Sequence, residues 1–266
     1  FGMFQRLLQL EGYKVDMLTT NHRGIVDEGL KYVHNDTCYP ALLVIGQLID
    51  AVKHGGYDPH KVALLITQTG GGCRASNYIH LLRKALVKAG LEFIPVISVS
   101  FGVEKNPGFG LTVPLIRKMI YAMMYGDLIM NVANQVRPYE VTAGDTDALV
   151  DRWQTKLIEG FQAGKGMSRP QMRAIFDRIC ADFAAVPVTG EEKVRVGVVG
   201  EIYVKFSPLG NNNLEAFLLS EGAEPVVPGL TDFMIFKIYN RVADVDLYGG
   251  KWLKKAVCRM FMGYIE

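Results

Sequence analysis

Residues 61–90, KVALLITQTGGGCRASNYIHLLRKALVKAG, decide the fold class. KVALLIT (61–67) is a continuous apolar run, the mark of a strand buried on both faces. RASNYIHLLRKALVKAG (74–90) carries apolar residues at helical spacing and ends on Gly90 as a C-cap. The turn between them holds Gly70, Gly71, Gly72 and then Cys73. A phosphate-binding turn uses such glycines but has no need of the sulfur. TGGGCRAS also lacks the Lys–Ser/Thr of a P-loop and the spacing of GxGxxG. The thiol is what needs explaining.

Downstream, EFIPVISVS (92–100) reads as the next strand, EKNPGFG (104–110) as a loop at the same sheet edge, and 112–134 as a long helix. That loop is either a pocket lining or an ordinary glycine-rich connection. Upstream, FGMFQRLLQLEGYKV begins as an amphipathic helix, YKVDMLT (13–19) predicts a strand, and LKYVHND (30–36) predicts a second. TCYPALLVIGQLIDAVKHGGYD then reads as a helix with Asp36 or Thr37 as cap, Pro40 in its first turn and Gly55-Gly56 as its stop. Strand and helix alternating at these intervals imply parallel strands joined by crossovers. The expected class is α/β, doubly wound and flavodoxin-like or Rossmann-like.

Residues 136–190 break that alternation with two polar-faced helices and no strand between them. EKVRVGVVGEIYV (192–204) restarts as a strand, and SPLGNNNLEAFLLSEGAEPVVPG supplies a capped helix and another strand edge. The expected organisation is a first flavodoxin-like α/β domain over 1–135 carrying both cysteine turns, a helical connector over 136–190, and a partial second α/β domain over 191–266. That last part is short for a doubly wound domain. With the missing initiator Met, it points to a fragment of a larger protein.

The charge balance is +2, from 29 basic and 27 acidic side chains, which gives no reason to expect nucleic acid or an anionic membrane as partner. No apolar run reaches the roughly 18 residues of a membrane span. Four cysteines in a chain of 266 residues do not make a disulfide framework. With eleven methionines and no secretion signal, a reducing, cytoplasmic setting is expected.

Ligands of an open parallel sheet bind beyond the carboxyl ends of its strands. Cys73 is expected there, after strand 61–67, and Cys38 in the equivalent place after strand 30–36. Helix N-termini favour thiolate over thiol and suit an anionic iron–sulfur cluster, which glycines let the backbone approach closely. The plainer alternative for each cysteine is a small buried hydrophobe. Cys180 and Cys258 read as core packing and as part of an amphipathic helix face. His22 and His34 read as loop or hydrogen-bonded polar residues, and Asp145, Asp147 and Asp151 as charges at a helix start. Glu201 stands in the apolar stretch VGVVGEIYVKF, either in a salt bridge or as a site carboxylate. Gln68, Arg74 and Asn77 flank the glycine loop and are candidate donors to a cluster or substrate.

HNDTCYPALLVIGQ, LLITQTGGGCRASNYIHLLRKAL and VGVVGEIYVKFSPLGNNNLEAFLLSEGAE, in that order, resemble the 2-hydroxyacyl-CoA dehydratase and benzoyl-CoA reductase superfamily. The resemblance is nearest to the dehydratase-subunit-like region of activase-related proteins and runs from about residue 13 to 235. It implies stacked flavodoxin-like domains around a [4Fe-4S] cluster held by three cysteines. It implies one-electron chemistry on an acyl-CoA thioester, fed by an ATP-dependent activator module. It also implies a dimer of related subunits. On this chain Cys38 and Cys73 match the first two ligands, with Gln68, Gly71, Gly72, Arg74, Asn77 and Glu201 as neighbours or substrate contacts. No third ligand is identified, since Cys258 in KKAVCRMF does not look like a ligand loop. That gap motivates an alternative: an acyl-CoA- or partner-binding regulatory module without a working cluster. A flavin-binding module, resting on the glycine loop alone, ranks last.

Overall fold

The computed structural model describes residues 2–34, 36–68, 73–99, 109, 110 and 112–265. In chain order the elements are α1 (Gly2–Leu10), α2 (Arg23–Tyr32), α3 (Tyr39–His54), β1 (Leu64–Thr67), α4 (Tyr78–Ala89), β2 (Val96–Val99), α5 (Val113–Val136), α6 (Asp145–Gln162), α7 (Arg169–Ala184), β3 (Arg195–Gly197), α8 (Ile202–Phe206), α9 (Pro208–Asn211), α10 (Leu214–Ser220), β4 (Glu224–Val226), α11 (Leu230–Tyr248) and α12 (Trp252–Ile265). Helix dominates, at 66%, and the described residues form two parallel two-stranded sheets, β1 with β2 and β3 with β4. The chain divides into two compact units.

One unit comprises Asp16–Ile116 and Tyr203–Leu214. Here the sequence pattern around 61–90 is borne out. β1 pairs in parallel with β2, Leu64 opposite Val96, and α4 is the crossover between them. Gly90 ends α4 with φ 69°, a left-handed conformation that glycine adopts without steric cost, and its N–H bonds the carbonyls of Leu86 and Val87. Leu64 and Ile66 of β1 pack with Ile79, Leu82 and Leu86 of α4 and with Ile45 and Ile49 of α3 in one buried cluster.

Two expected strands are absent. Residues 13–22 have no regular structure. Their carbonyls are met by side chains instead of a neighbouring strand: Gln47 Nε2 donates to Thr20 O at 2.9 Å. Leu30–Tyr32, expected in a strand, complete α2. Ile25, Gly29 and Tyr32 are buried together, and that helical period outweighs the local β preference of LKYV. Cys38 therefore follows a helix, and the expected strand-to-helix turn at this position is corrected to a helix-to-helix turn. Gly29 and Gly46 let α2 and α3 approach closely, since a Cβ on Gly29 would meet Leu42 O at 2.5 Å.

The other unit comprises Phe1–Val15, Arg117–Ile202 and Glu215–Glu266. Leu149, Trp153, Leu157 and Phe161 make a buried stripe along α6. Tyr125 of α5 is buried against Phe161 and Phe176, and its hydroxyl donates to Gly166 O at 2.8 Å. Glu224 of β4 is buried and accepts from Arg195 Nε at 3.0 Å and from Tyr139 Oη at 2.8 Å. That pairing is what a carboxylate needs in a sheet interior. Asp145 and Asp147 do lie in the first turn of α6, as expected. The strand expected over 192–204 shrinks to Arg195–Gly197, because GEIYV turns into α8. Cys180, expected in the core, is exposed on α7.

The segment expected as one capped helix after Ser207 is two. Ser207 caps α9 by accepting from Gly210 N, and Asn212 and Asn213, both at φ 56°, break the chain before α10. Asparagine tolerates the left-handed region better than most residues.

Candidate functional site

Cys38 is the N-cap of α3, in extended conformation, and its carbonyl accepts from Ala41 N at 3.0 Å and Leu42 N at 3.3 Å. Its side chain makes no cap bond to the helix. Instead Sγ lies 3.1 Å from the phenol oxygen of Tyr78, the first residue of α4. Cys38 is half-buried.

Cys73 is the N-cap of a 3₁₀ turn, Arg74–Asn77, that leads into α4. Its carbonyl accepts from Ser76 N at 3.1 Å and from Ser76 Oγ at 2.7 Å, and its thiol is exposed. At the 3₁₀ rise of about 2 Å per residue, Cys73 lies within roughly 10 Å of Tyr78 along the backbone. Both cysteines thus start helical segments, and the Cys38–Tyr78 contact ties one start to the other.

Gln68 ends up as the brace of this corner. It follows β1, donates through Nε2 to Ser76 O at 2.8 Å, and accepts through Oε1 from the buried Ser98 of β2 at 3.3 Å. One amide side chain therefore joins both strand ends to the turn that carries Cys73. No sequence motif marked Ser76, Ser98 or Tyr78 for these roles; each is a single polar residue whose partner is set by the fold. Arg74 and Asn77 are exposed beside Cys73. Gly71 and Gly72, with the rest of the glycine turn and residues 104–108 of the expected pocket loop, lie outside the described residues. Glu201 is exposed just ahead of α8 and belongs to the other unit.

His22 and Asp50 form a second polar pair in the cysteine-bearing unit. His22, the N-cap of α2, places Nε2 3.2 Å from the buried carboxylate of Asp50. Nearby in sequence, Lys53 Nζ donates to Tyr32 Oη at 2.6 Å and to Glu28 Oε2 at 2.9 Å. The hydrogen bonds from Lys53 and Lys31 hold the Tyr32 phenol below its ordinary pKa of 10.0. A cleft of about 320 Å³ lined by Arg83, Val87, Glu92 and Phe93 lies by the start of β2, at the sheet edge opposite Cys73.

The donor set at the corner is two thiols and a phenol. Thiols are the ligand type of an iron–sulfur cluster. Among the described residues no three His, Cys, Asp or Glu side chains stand together as a metal group. No helix among the described residues is long and apolar enough to cross a membrane. No protein-family model, curated protein or solved structure matches the chain.

Proposed function

We propose that this chain is an iron–sulfur protein of the kind its motifs resemble, the 2-hydroxyacyl-CoA dehydratase subunits, with Cys38 and Cys73 as two ligands of a [4Fe-4S] cluster. One observation carries the reading: both thiols stand at the N-caps of helical segments, and the Cys38–Tyr78 contact joins those segments at one corner. Amide dipoles at helix starts favour the negative charge of a bound cluster. When bound, the cluster would supply one-electron transfer to an acyl-CoA thioester or along a chain from an ATP-dependent activator. The chain's own residues hold this corner in place: Ser76 fixes the Cys73 carbonyl, Gln68 fixes Ser76, and the Tyr78 hydroxyl is hydrogen-bonded with Cys38 Sγ. A flavodoxin-like ancestry for the β1–α4–β2 unit, a dimeric assembly and a cytoplasmic setting belong to the same reading.

Iron and acid-labile sulfide per chain, measured after strictly anaerobic purification, test it. The expected result is about four of each with a broad brown absorbance, falling together in Cys38→Ala and in Cys73→Ala. Iron content unchanged by either substitution, or no iron after anaerobic reconstitution, would overturn it.

A second reading rests on the side-chain contact of Cys38, whose thiol has the Tyr78 phenol as partner. In it the same fold is a regulatory module that binds an acyl-CoA or a protein partner. A colourless protein with four titratable thiols and saturable acyl-CoA binding would favour this reading.

A further inference from the structure

His22 is faced by a buried carboxylate on one side and is open on the other. Its Nε2 stands 3.2 Å from Oδ2 of Asp50, whose side chain is 7% exposed, while the imidazole itself is 52% exposed. Two lone pairs facing each other at that distance repel. The neutral ring therefore carries its proton on Nε2, toward the carboxylate, and keeps the lone pair on Nδ1. Nδ1 lies over the first turn of α2. Chain neighbours and helix backbone aside, a Cβ on Gly24 would meet His22 Nδ1 at 3.1 Å and Cε1 at 3.3 Å and no other described atom within 4 Å. Gly24 has no positive φ, and its Cβ direction meets no second element, so neither backbone nor packing calls for glycine there. What the missing Cβ leaves is room beside Nδ1.

The surroundings of Nδ1 suit an anion. The N–H groups of Arg23 and Gly24 open α2 without an intrahelical acceptor. The first turn has no acidic residue, and Arg23 adds an exposed cation. A helix start by itself selects no ligand. Here it lies under a half-exposed ring whose other nitrogen is oriented by a carboxylate, the arrangement that makes an imidazole a nucleophile.

We propose that His22 is a phosphoryl acceptor, taking the group on Nδ1 from a phosphoramidate donor. The Nδ1 lone pair forms the new N–P bond as the donor's P–N bond breaks and its amine leaves with the electron pair. From phosphoramidate itself the amine leaves as ammonia, so no proton has to move and no atom changes oxidation state. The positive charge gained by the ring faces Asp50 through Nε2–H, and the phosphoryl oxygens meet the amides of Arg23 and Gly24. One N–P bond replaces another, so the group can be handed on. None of this chemistry needs a cluster.

The test is phosphorylation of the 266-residue chain by a limiting dose of potassium phosphoramidate, read by peptide mass spectrometry at alkaline pH, where phosphohistidine survives. His34, His54, His60 and His80 are all exposed and serve as internal controls. His34, at 67%, is more exposed than His22, so exposure alone would favour it. His22 should nonetheless react at least about tenfold faster than any of the four, with phosphorus NMR placing the group on Nδ1. Gly24→Ala should slow His22 about tenfold, because the methyl group takes the space beside Nδ1, while the circular dichroism stays that of the wild type. Asp50→Asn should let the Nε2 isomer form as well, which the loss of a merely structural aspartate would not do. If that variant unfolds, Gly24→Ala carries the comparison alone. Equal rates at all five histidines, phosphorus on Nε2 of the wild type, or an unchanged rate in Gly24→Ala would each overturn the proposal.

Discussion

Gly46 of α3 stands against Gly29 of α2 so closely that a Cβ on Gly46 would lie 2.9 Å from the Gly29 nitrogen. The reverse substitution is as crowded, with Leu42 O 2.5 Å from a Cβ on Gly29. Neither obstacle is the movable end of a side chain. Gly46→Ala should therefore destabilise the unit by about 1–3 kcal/mol, although alanine is the better helix former by nearly 1 kcal/mol. Urea unfolding checks it; an unchanged or raised midpoint would show that the helices do not cross there.

Asp127 of α5 caps α11 from another part of the chain. Its carboxylate accepts from Leu230 N at 2.9 Å and from Thr231 N at 2.5 Å, while Asp232 accepts from Gly229 N at 3.1 Å. Three of the four free amides of the helix start are so satisfied. Asp127→Ala should cost about 1 kcal/mol, with a range of roughly 0.5–2. Gly229→Ala should cost as much by a different route, because its Cβ would sit 2.8 Å from Asp127 Oδ2. Thermal melts of the two single variants and the double variant separate the routes: the double should lose less than the two singles combined.

What the sequence made legible follows the range over which each signal acts. The β1–α4–β2 unit could be read because its apolar run, its glycine turn and the Gly90 stop lie within one stretch of chain. α2 could not, since LKYV suits a strand as well as a helix and only the crossing with α3 decides. The strand expected through GEIYV failed likewise: Val and Ile carry β preference, yet the segment turns at Gly200, with φ 138°, before α8. At the candidate site the thiols were visible as residue types and both do precede helical segments, but the cap of α3 expected of Asp36 or Thr37 is taken by Cys38 itself. Tyr78 and Gln68 were harder. Gln68 was noticed for its place beside the loop, but its bonds run to Ser76 and Ser98, and the tyrosine's partner lies on another helix.

Thiol chemistry should rank the cysteines by exposure. Cys73 and Cys180 are exposed, while Cys38 and Cys258 are half-buried. In cluster-free protein, a limiting dose of a thiol-specific reagent followed by peptide mass spectrometry should label Cys73 and Cys180 first. Tyr78→Phe should change the rate at Cys38, whose Sγ it leaves without the phenol, and leave Cys180 unchanged. Equal rates at all four cysteines would contradict the placement of both helix starts.

Two carboxylates in the other unit should respond to pH in opposite directions. Burial works to raise the Glu140 pKa, but hydrogen bonds with Thr146 and Gly144, together with the Arg137 charge, leave it below the ordinary 4.5. Its contribution is present above 4.5 and is lost as pH falls through the lower folded value. Glu215 is raised above 4.5 by burial, against the pull of Arg137 and Asn134. Its contribution is present below 4.5 and is lost as pH rises through the higher folded value. At pH 7, then, Glu140→Gln should lower the melting temperature and Glu215→Gln should raise it. At a pH below both folded values the Glu140 carboxyl is protonated as well, and each difference should shrink toward zero. Melting curves of the two variants across that range check the sign. A Glu215→Gln variant less stable than wild type at pH 7 would mean that its carboxylate is paired rather than strained by burial.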